Sequence, residues 1–317
     1  MPTLALVNGK GGVGKSVTAL NTGVSLSRMA YEVVAVDVDL DMGDLGRYAG
    51  VVGDGGIEGV LAGDQDLTEA LVEGPGGLSV LSGQRSVDGD QAASASDLPG
   101  LFRQLESEFE VVLVDTPPGL RDELPVSVGN ADWSLVVTTP GEPSLTNARQ
   151  TAELVEKAGG SVLGVVVSRA GEGTDLDAIE ARVGAPVVGV LPEDPAFEQS
   201  AVVTDASTGD TPAQEYEELA RVLAKCLRAD DPVGLVETLD TPSLSGDESV
   251  ADDIEDATQT DAEAGADATT DADDESDDED DSAGGALGGG TRMGSARDAD
   301  YHRELVEEAM DKTDDES

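Results

Sequence analysis

Eight residues near the N-terminus, Gly9-Lys10-Gly11-Gly12-Val13-Gly14-Lys15-Ser16, leave this chain few folds to choose from. They fit G-x-x-x-x-G-K-[ST], directly after the apolar run Thr3–Val7. A helix is expected next over Ser16–Met29, where Val17, Leu20, Val24 and Leu26 recur at helical spacing. Glycines let backbone N–H groups curl around phosphate oxygens without Cβ clashes, and the helix N-terminus behind them adds its positive dipole end. Gly9, Gly11, Gly12, Val13 and Gly14 would form that cradle. Lys15 would neutralise charge on the β- and γ-phosphates, and the Ser16 hydroxyl suits Mg2+.

The rest of the body alternates apolar runs with amphipathic stretches. Val33–Val38, Leu78–Leu81, Val111–Val114, Leu135–Thr138, Val162–Val167 and Val187–Leu191 read as strands buried on both faces. Helices are expected at Leu67–Val72, Leu98–Glu108, Asn147–Lys157, Leu176–Ala181 and Gln214–Leu227. Strands alternating with helices predict an α/β fold with a doubly wound, mainly parallel sheet.

Two carboxylate-bearing strand ends accompany the loop. Alternate residues of a strand point the same way, so Asp37 and Asp39, in Val36-Asp37-Val38-Asp39, can both face the phosphates. Val111–Val114 ends in Asp115, the arrangement of a Walker B strand whose carboxylate holds Mg2+ directly or through water. Pro117-Pro118-Gly119 then suits a switch turn that responds to the γ-phosphate.

Lys10 is the informative extra, since the chain has five lysines and two lie within this one loop. Lys10-Gly-Gly-x-Gly-Lys15-Ser16 resembles the deviant Walker A motif of the MinD/ParA family of P-loop ATPases. The D-T-P-P-G segment at Asp115–Gly119 and L-P-E-D at Leu191–Asp194 resemble further family segments, in the family's order over roughly residues 1–228. The match is closest to MinD-type members. The resemblance implies an ATP-dependent homodimer in which Lys10 reaches the partner's phosphates, with Lys10 and Asp39 as catalytic residues. It implies that Asp39 orients the attacking water, that Asp37 supports the Mg2+ shell with Ser16 and Asp115, and that ATP and Mg2+ are the cofactors. At the base end, Ser168-Arg169 stands where many relatives have Asn-Arg, with Asn reading adenine, and the loop with Pro192 and Asp194 packs against adenine.

The resemblance further implies a slow, partner-stimulated ATPase switch that dimerises on ATP, resets on hydrolysis and positions a division site or another cellular structure. The alternatives are a ParA-like DNA or cargo partition ATPase and an ATP-using metabolic enzyme on the same scaffold, a class that commonly lacks the Lys10-type signature. Iron–sulfur carriers of the family need paired cysteine ligands, which the single Cys226 does not supply.

Charge narrows the partners. The chain has 67 Asp+Glu against 18 Lys+Arg, a net of −49. So acidic a surface disfavours DNA binding by counterion release. Scarce lysine and dense carboxylates suit a high-salt cytoplasm, so a halophilic, haloarchaeal source is expected.

Residues 1–229 read as the ATPase domain. Residues 230–297 read as a disordered acidic and Gly-rich linker, and 298–317 as a short amphipathic helix. Over Asp298–Lys312 that helix carries Arg303 and Lys312 against six carboxylates, which opposes docking on anionic lipid. The tail is therefore expected to tether a partner-binding helix for an activator or cargo protein. No apolar run reaches the roughly 18 residues that span a bilayer, and MPTLALVNGK lacks a signal-peptide charge pattern. A cytoplasmic location is expected, peripheral to the membrane's inner face through a partner.

Overall fold

In the computed structural model the described residues are 2–51, 53, 55–83, 94–119, 121, 123–203, 211–239 and 242. Their strands are β1 (Thr3–Val7), β2 (Val33–Asp37), β3 (Val72–Glu73), β4 (Ser79–Leu81), β5 (Val111–Asp115), β6 (Trp133–Thr138), β7 (Val162–Ala170) and β8 (Val187–Pro192). These form one sheet in the order β3-β4-β2-β5-β1-β6-β7-β8. Every pairing is parallel except β3 with β4 at the edge. The fold is the doubly wound, mainly parallel α/β class expected from the alternation of elements.

The helices are α1 (Lys15–Arg28), α2 (Leu45–Ala49), α3 (Ile57–Ala62), α4 (Leu67–Ala70), α5 (Leu98–Glu108), α6 (Glu123–Asn130), α7 (Glu142–Lys157), α8 (Leu176–Val183), α9 (Ala196–Gln199), α10 (Thr211–Cys226) and α11 (Pro232–Val236). Successive strand residues point to opposite faces, so each strand feeds two cores. Leu4, Leu6, Ala35 and Leu113 pack with Leu20 and Val24 of α1 and Leu219 and Leu223 of α10. Ala5, Val7, Val36 and Val114 pack with Phe102 of α5, Leu124 of α6 and Val155 of α7. Burial on both faces is why the strands read as unbroken apolar runs. Each enclosed Val or Leu contributes about 1.5–3 kcal/mol.

Several boundaries differ from the sequence reading, each for a local reason. The helix expected from Asn147 begins at Glu142, because Pro143 occupies the first turn, where its missing N–H costs nothing. The helix expected over Leu67–Val72 stops at Ala70, and Val72 joins the antiparallel edge opposite Val80. The body also continues beyond residue 229. The Asp231 carboxylate accepts the Gly234 N–H at 3.0 Å, Pro232 sits in the first turn, and Pro232 and Val236 are buried. Acidic composition had placed this segment in the linker, but one cap and two apolar contacts are enough for a single turn. The linker from 243 onward and the helix expected at 298–317 lie outside the described residues.

Candidate functional site

β1 and β2 flank β5 in the sheet, and the phosphate loop fills the turn from β1 to α1. Gly14 takes φ +97°, a left-handed conformation that a side chain would strain, and its carbonyl accepts the Thr18 N–H at 2.8 Å to open α1. Gly12 is also left-handed, and Gly11 and Gly12 are exposed, whereas Val13 is buried in the α1-side core.

The loop is braced from several directions. Gly9 N–H donates to Thr151 Oγ1 of α7 at 2.9 Å, and Lys10 N–H donates to Asn8 Oδ1 at 2.8 Å. Asn8 in turn donates to the Val137 carbonyl at 2.5 Å. Thr151 lies 142 positions from Gly9, so nothing in the local sequence signals it. Asn8 adjoins the motif, and that position was the one signal for it.

Lys15 is only 7% exposed. Burial lowers its pKa, and the charges of Asp115, Asp39 and Asp37 oppose that shift. Four charged groups expected from the motifs are thus brought to one place. Asp37 and Asp115 are register partners on adjacent parallel strands, extending the alternation that puts Ala35, Leu113 and Leu6 on the α1 face. Burial pushes Asp37 up to about 7, and the facing Asp115 charge adds to the shift. Burial also pushes Asp115 up to about 6, against the Lys15 charge and a hydrogen bond from Ser16.

The two carboxylates differ in what they have left to offer. Asp37 accepts the Asp39 N–H on Oδ1 and the Leu45 N–H on Oδ2, both at 3.0 Å, so both of its oxygens hold the turn after β2. Gly43 lies so close that a Cβ there would stand 2.7 Å from Asp37 Oδ2. Asp115 Oδ1, by contrast, is a buried acceptor with no hydrogen-bond partner. An orphaned anionic oxygen beside a serine hydroxyl is suited to a divalent cation. Among the described residues no group of three or more His, Cys, Asp or Glu side chains is arranged to hold a metal ion by itself. Mg2+ accords with that set, since it takes one or two protein ligands and completes its shell with phosphate oxygens and water.

Asp39 reaches the cluster by a different route from the one the strand pattern suggests. β2 ends at Asp37, and a turn rather than strand alternation places Asp39, its Oδ1 accepting the Met42 N–H at 3.1 Å. Arg121, which the sequence reading missed, stands with Nη1 3.4 Å from Asp39 Oδ1 and 2.7 Å from Asp41 Oδ2. It lies just beyond Asp115–Gly119, so one side chain ties the turn that carries Asp39 to the segment expected to respond to the γ-phosphate. Lys10 is not drawn in: it is exposed and makes no ion pair among the described residues.

On the other side of the loop lies a cavity of about 550 Å³. Gly14, Ser168, Arg169, Pro192 and Asp194 all line it, with Phe197 and Tyr216 packed edge to face at 6.3 Å between ring centroids. Its size matches small-molecule sites, and its contact with Val13 and Gly14 makes it continuous with the phosphate loop.

The chain is similar in sequence and fold to known proteins. The model of the CobQ/CobB/MinD/ParA nucleotide binding domain matches residues 4–204. An uncharacterized ATP-binding protein of Methanocaldococcus jannaschii is 31% identical over 202 residues, covering 62% of this chain and 76% of that protein. The septum site-determining protein MinD complexed with Mg-ADP from Pyrococcus horikoshii is 27% identical with a TM-score of 0.66, over 73% of this chain and 99% of that one. The cell division ATPase MinD of Pyrococcus furiosus is 29% identical with a TM-score of 0.65, over 71% of this chain and 98% of that one. With the family model covering residues 4–204 and these relatives beside it, this chain belongs to the CobQ/CobB/MinD/ParA nucleotide-binding family, as a MinD/ParA-type P-loop NTPase.

Proposed function

We propose that this protein is a Mg2+-dependent ATPase switch that dimerises when ATP is bound, resets on hydrolysis and positions a cellular structure. The observation that carries the reading is the contrast between the two lysines of the loop. Lys15 is buried against three carboxylates, whereas Lys10 is exposed and has no ion-pair partner among the described residues. A cation left unpaired at the mouth of a phosphate loop supports a role toward the triphosphate of a second copy. The Mg-ADP complex of the Pyrococcus horikoshii relative supports the choice of cation and nucleotide.

Ser16 and Asp115 would hold Mg2+, which would supply positive charge to the phosphate oxygens. Lys15 binds the β/γ-phosphates from within the chain, and Lys10 stabilises them from the partner. Asp39 orients the attacking water, and Asp37 fixes the turn that carries Asp39. Light scattering on a sizing column with ATP or ADP, in high salt, tests this on wild type and Lys10→Ala. Wild type should be a dimer with ATP only, and Lys10→Ala a monomer with both. A Lys10→Ala dimer in ATP, or a wild-type monomer in ATP, removes the switch.

This reading puts the protein in the cytoplasm, brought to the inner face of the membrane by a partner of the tail, an activator or cargo protein. Deletion of the tail should spare α11, whose apolar residues belong to the core, so the cut falls after Leu239. Imaging a tagged copy without 240–317 in live cells tests targeting. Unchanged localisation ends the tether hypothesis.

A further inference from the structure

The cavity beside the phosphate loop has two walls, which come from distant parts of the chain. Val13, Gly14 and Thr18 form one, on the loop and the first turn of α1. Leu191, Pro192 and Phe197 form the other, where β8 runs out into α9. The first wall is part of the loop and its helix. The second is a short excursion from the end of the sheet. Within it the Asp194 carboxylate accepts the Ala196 N–H at 2.7 Å, and just after α9 Ser200 Oγ donates to the Val202 carbonyl at 2.8 Å. These bonds shape the excursion but do not tie its far end to the body.

Asn21 does that. It stands on α1 three residues beyond Thr18 and is fully buried. Its Nδ2 donates to the Val17 carbonyl and to the Ala201 carbonyl, both at 2.8 Å, and its Oδ1 accepts the Val203 N–H at 2.9 Å. The last two partners lie 180 and 182 positions away. Among the described residues no other hydrogen bond runs from residues 201–203 to a helix or strand. An amide is the group this place requires. One N–H is held by the preceding turn of α1, which fixes the side chain's direction, and the other N–H and the oxygen then meet a carbonyl and an amide of the segment. A hydroxyl has one proton for two carbonyls, and a carboxylate has none.

Asn21 thus joins the helix that opens at the phosphates to the wall on the nucleoside side. Resting on the nucleotide-switch reading above, we propose that Asn21 is a positioning residue, which holds the wall bearing Pro192 and Phe197 at the spacing the nucleoside needs. It does not line the cavity itself and acts through the backbone at Ala201 and Val203. The phosphates, served by Lys15, Ser16 and the N–H groups of the loop, do not depend on that wall. Asn21 therefore sets how much the nucleoside adds to phosphate binding, and a ligand with phosphates alone is blind to it.

Titration calorimetry of the full chain with Mg-ADP and with Mg-pyrophosphate tests this, since neither ligand is hydrolysed in the switch. Asn21→Ala removes both long-range hydrogen bonds and should weaken ADP by about tenfold while pyrophosphate stays within about twofold. Equal losses for the two ligands would mean a general loosening of α1, and an unchanged ADP affinity would mean that the wall needs no clamp. Either result overturns the proposal. Hydrogen exchange on the wild-type chain gives a reading that does not depend on the variant's folding. Mg-ADP should slow exchange of the Val203 amide by about tenfold, and pyrophosphate should leave it unchanged. Slowing by both ligands alike, or by neither, also overturns it. If the wild-type chain binds neither ADP nor ATP, the switch falls together with this inference. ADP binding with equal losses in the variant leaves the switch standing and removes only the inference.

Discussion

Ser168 and Asp115 are both buried polar residues beside the phosphate loop, and they stand in opposite states. Asp115 keeps a carboxylate oxygen without a partner. Beside it, Lys15 is enclosed at a cost that burial makes visible in its lowered pKa. Ser168 has its hydroxyl turned onto two backbone carbonyls, and Asp194 caps a turn. Unsatisfied buried groups are costly, so a fold retains them where a ligand will complete them. The phosphate end is therefore held ready for charge, while Ser168 and Asp194 spend hydrogen bonds on the chain itself. Most of the affinity should therefore reside in the phosphates and the metal.

The comparison breaks first at Lys15. Lys15→Ala removes the buried cation facing Asp115, Asp39 and Asp37, and nucleotide affinity should drop by at least about 100-fold in calorimetry. A loss of tenfold or less would mean the base end carries the binding after all. Next in size is Asp115→Asn, nearly equal in shape but lacking the anionic oxygen. It should weaken Mg2+ dependence by on the order of 10–100-fold, measured as the Mg2+ concentration needed for half-maximal nucleotide binding.

A steric change comes third. Gly43→Ala drives a Cβ onto Asp37 Oδ2 and should cost about 1–3 kcal/mol in urea unfolding. It should also lower hydrolysis more than ATP affinity, because the displaced turn carries Asp39. Equal losses of binding and turnover would separate Asp39 from that turn.

Protonation gives a gentler probe. Burial raises Asp115 to about 6 and Asp37 to about 7 from an ordinary 3.8. The folded, ligand-free protein thus keeps protons that the unfolded chain has released. Stability from these two groups is present at low pH and is lost as pH rises from about 4 to about 7. A bound divalent cation favours the ionised forms, so Mg-ADP affinity should climb over that upper range, and Asp115→Asn should flatten the climb. A profile identical in the variant would detach the slope from this carboxylate.

The smallest effect is expected at Arg121. Its pairs with Asp39 and Asp41 are partly open to solvent, with Arg121 at 36% and Asp41 at 73% exposure. Pairs of this kind contribute roughly 0.2–1 kcal/mol. Arg121→Ala should alter steady-state hydrolysis by about two- to fivefold and leave ATP affinity unchanged, with Arg121→Lys between the two. A hundredfold change would make Arg121 part of the chemistry rather than a tie between two segments.

Much of the phosphate end was legible before any coordinates. Glycines, Lys15, Ser16 and the β5 aspartate are contiguous in sequence with the strands that deliver them, and short-range geometry leaves little freedom. Asp39 was found for an incomplete reason, since a turn held by Asp37 rather than strand alternation places it. Thr151 and Arg121 were invisible because their contacts span 142 and 82 positions. Helix α11 was missed because composition averages over a window, whereas one cap and two buried side chains decide a single turn.

Sequence alone settled the sheet, the loop and the identity of the charges, because alternation, glycine spacing and strand-end carboxylates are local properties of the chain. Tertiary structure alone decided which of those polar groups still have a hydrogen bond to give. That depends on which distant carbonyls and amides the fold brings within about 3 Å, and no local pattern encodes it.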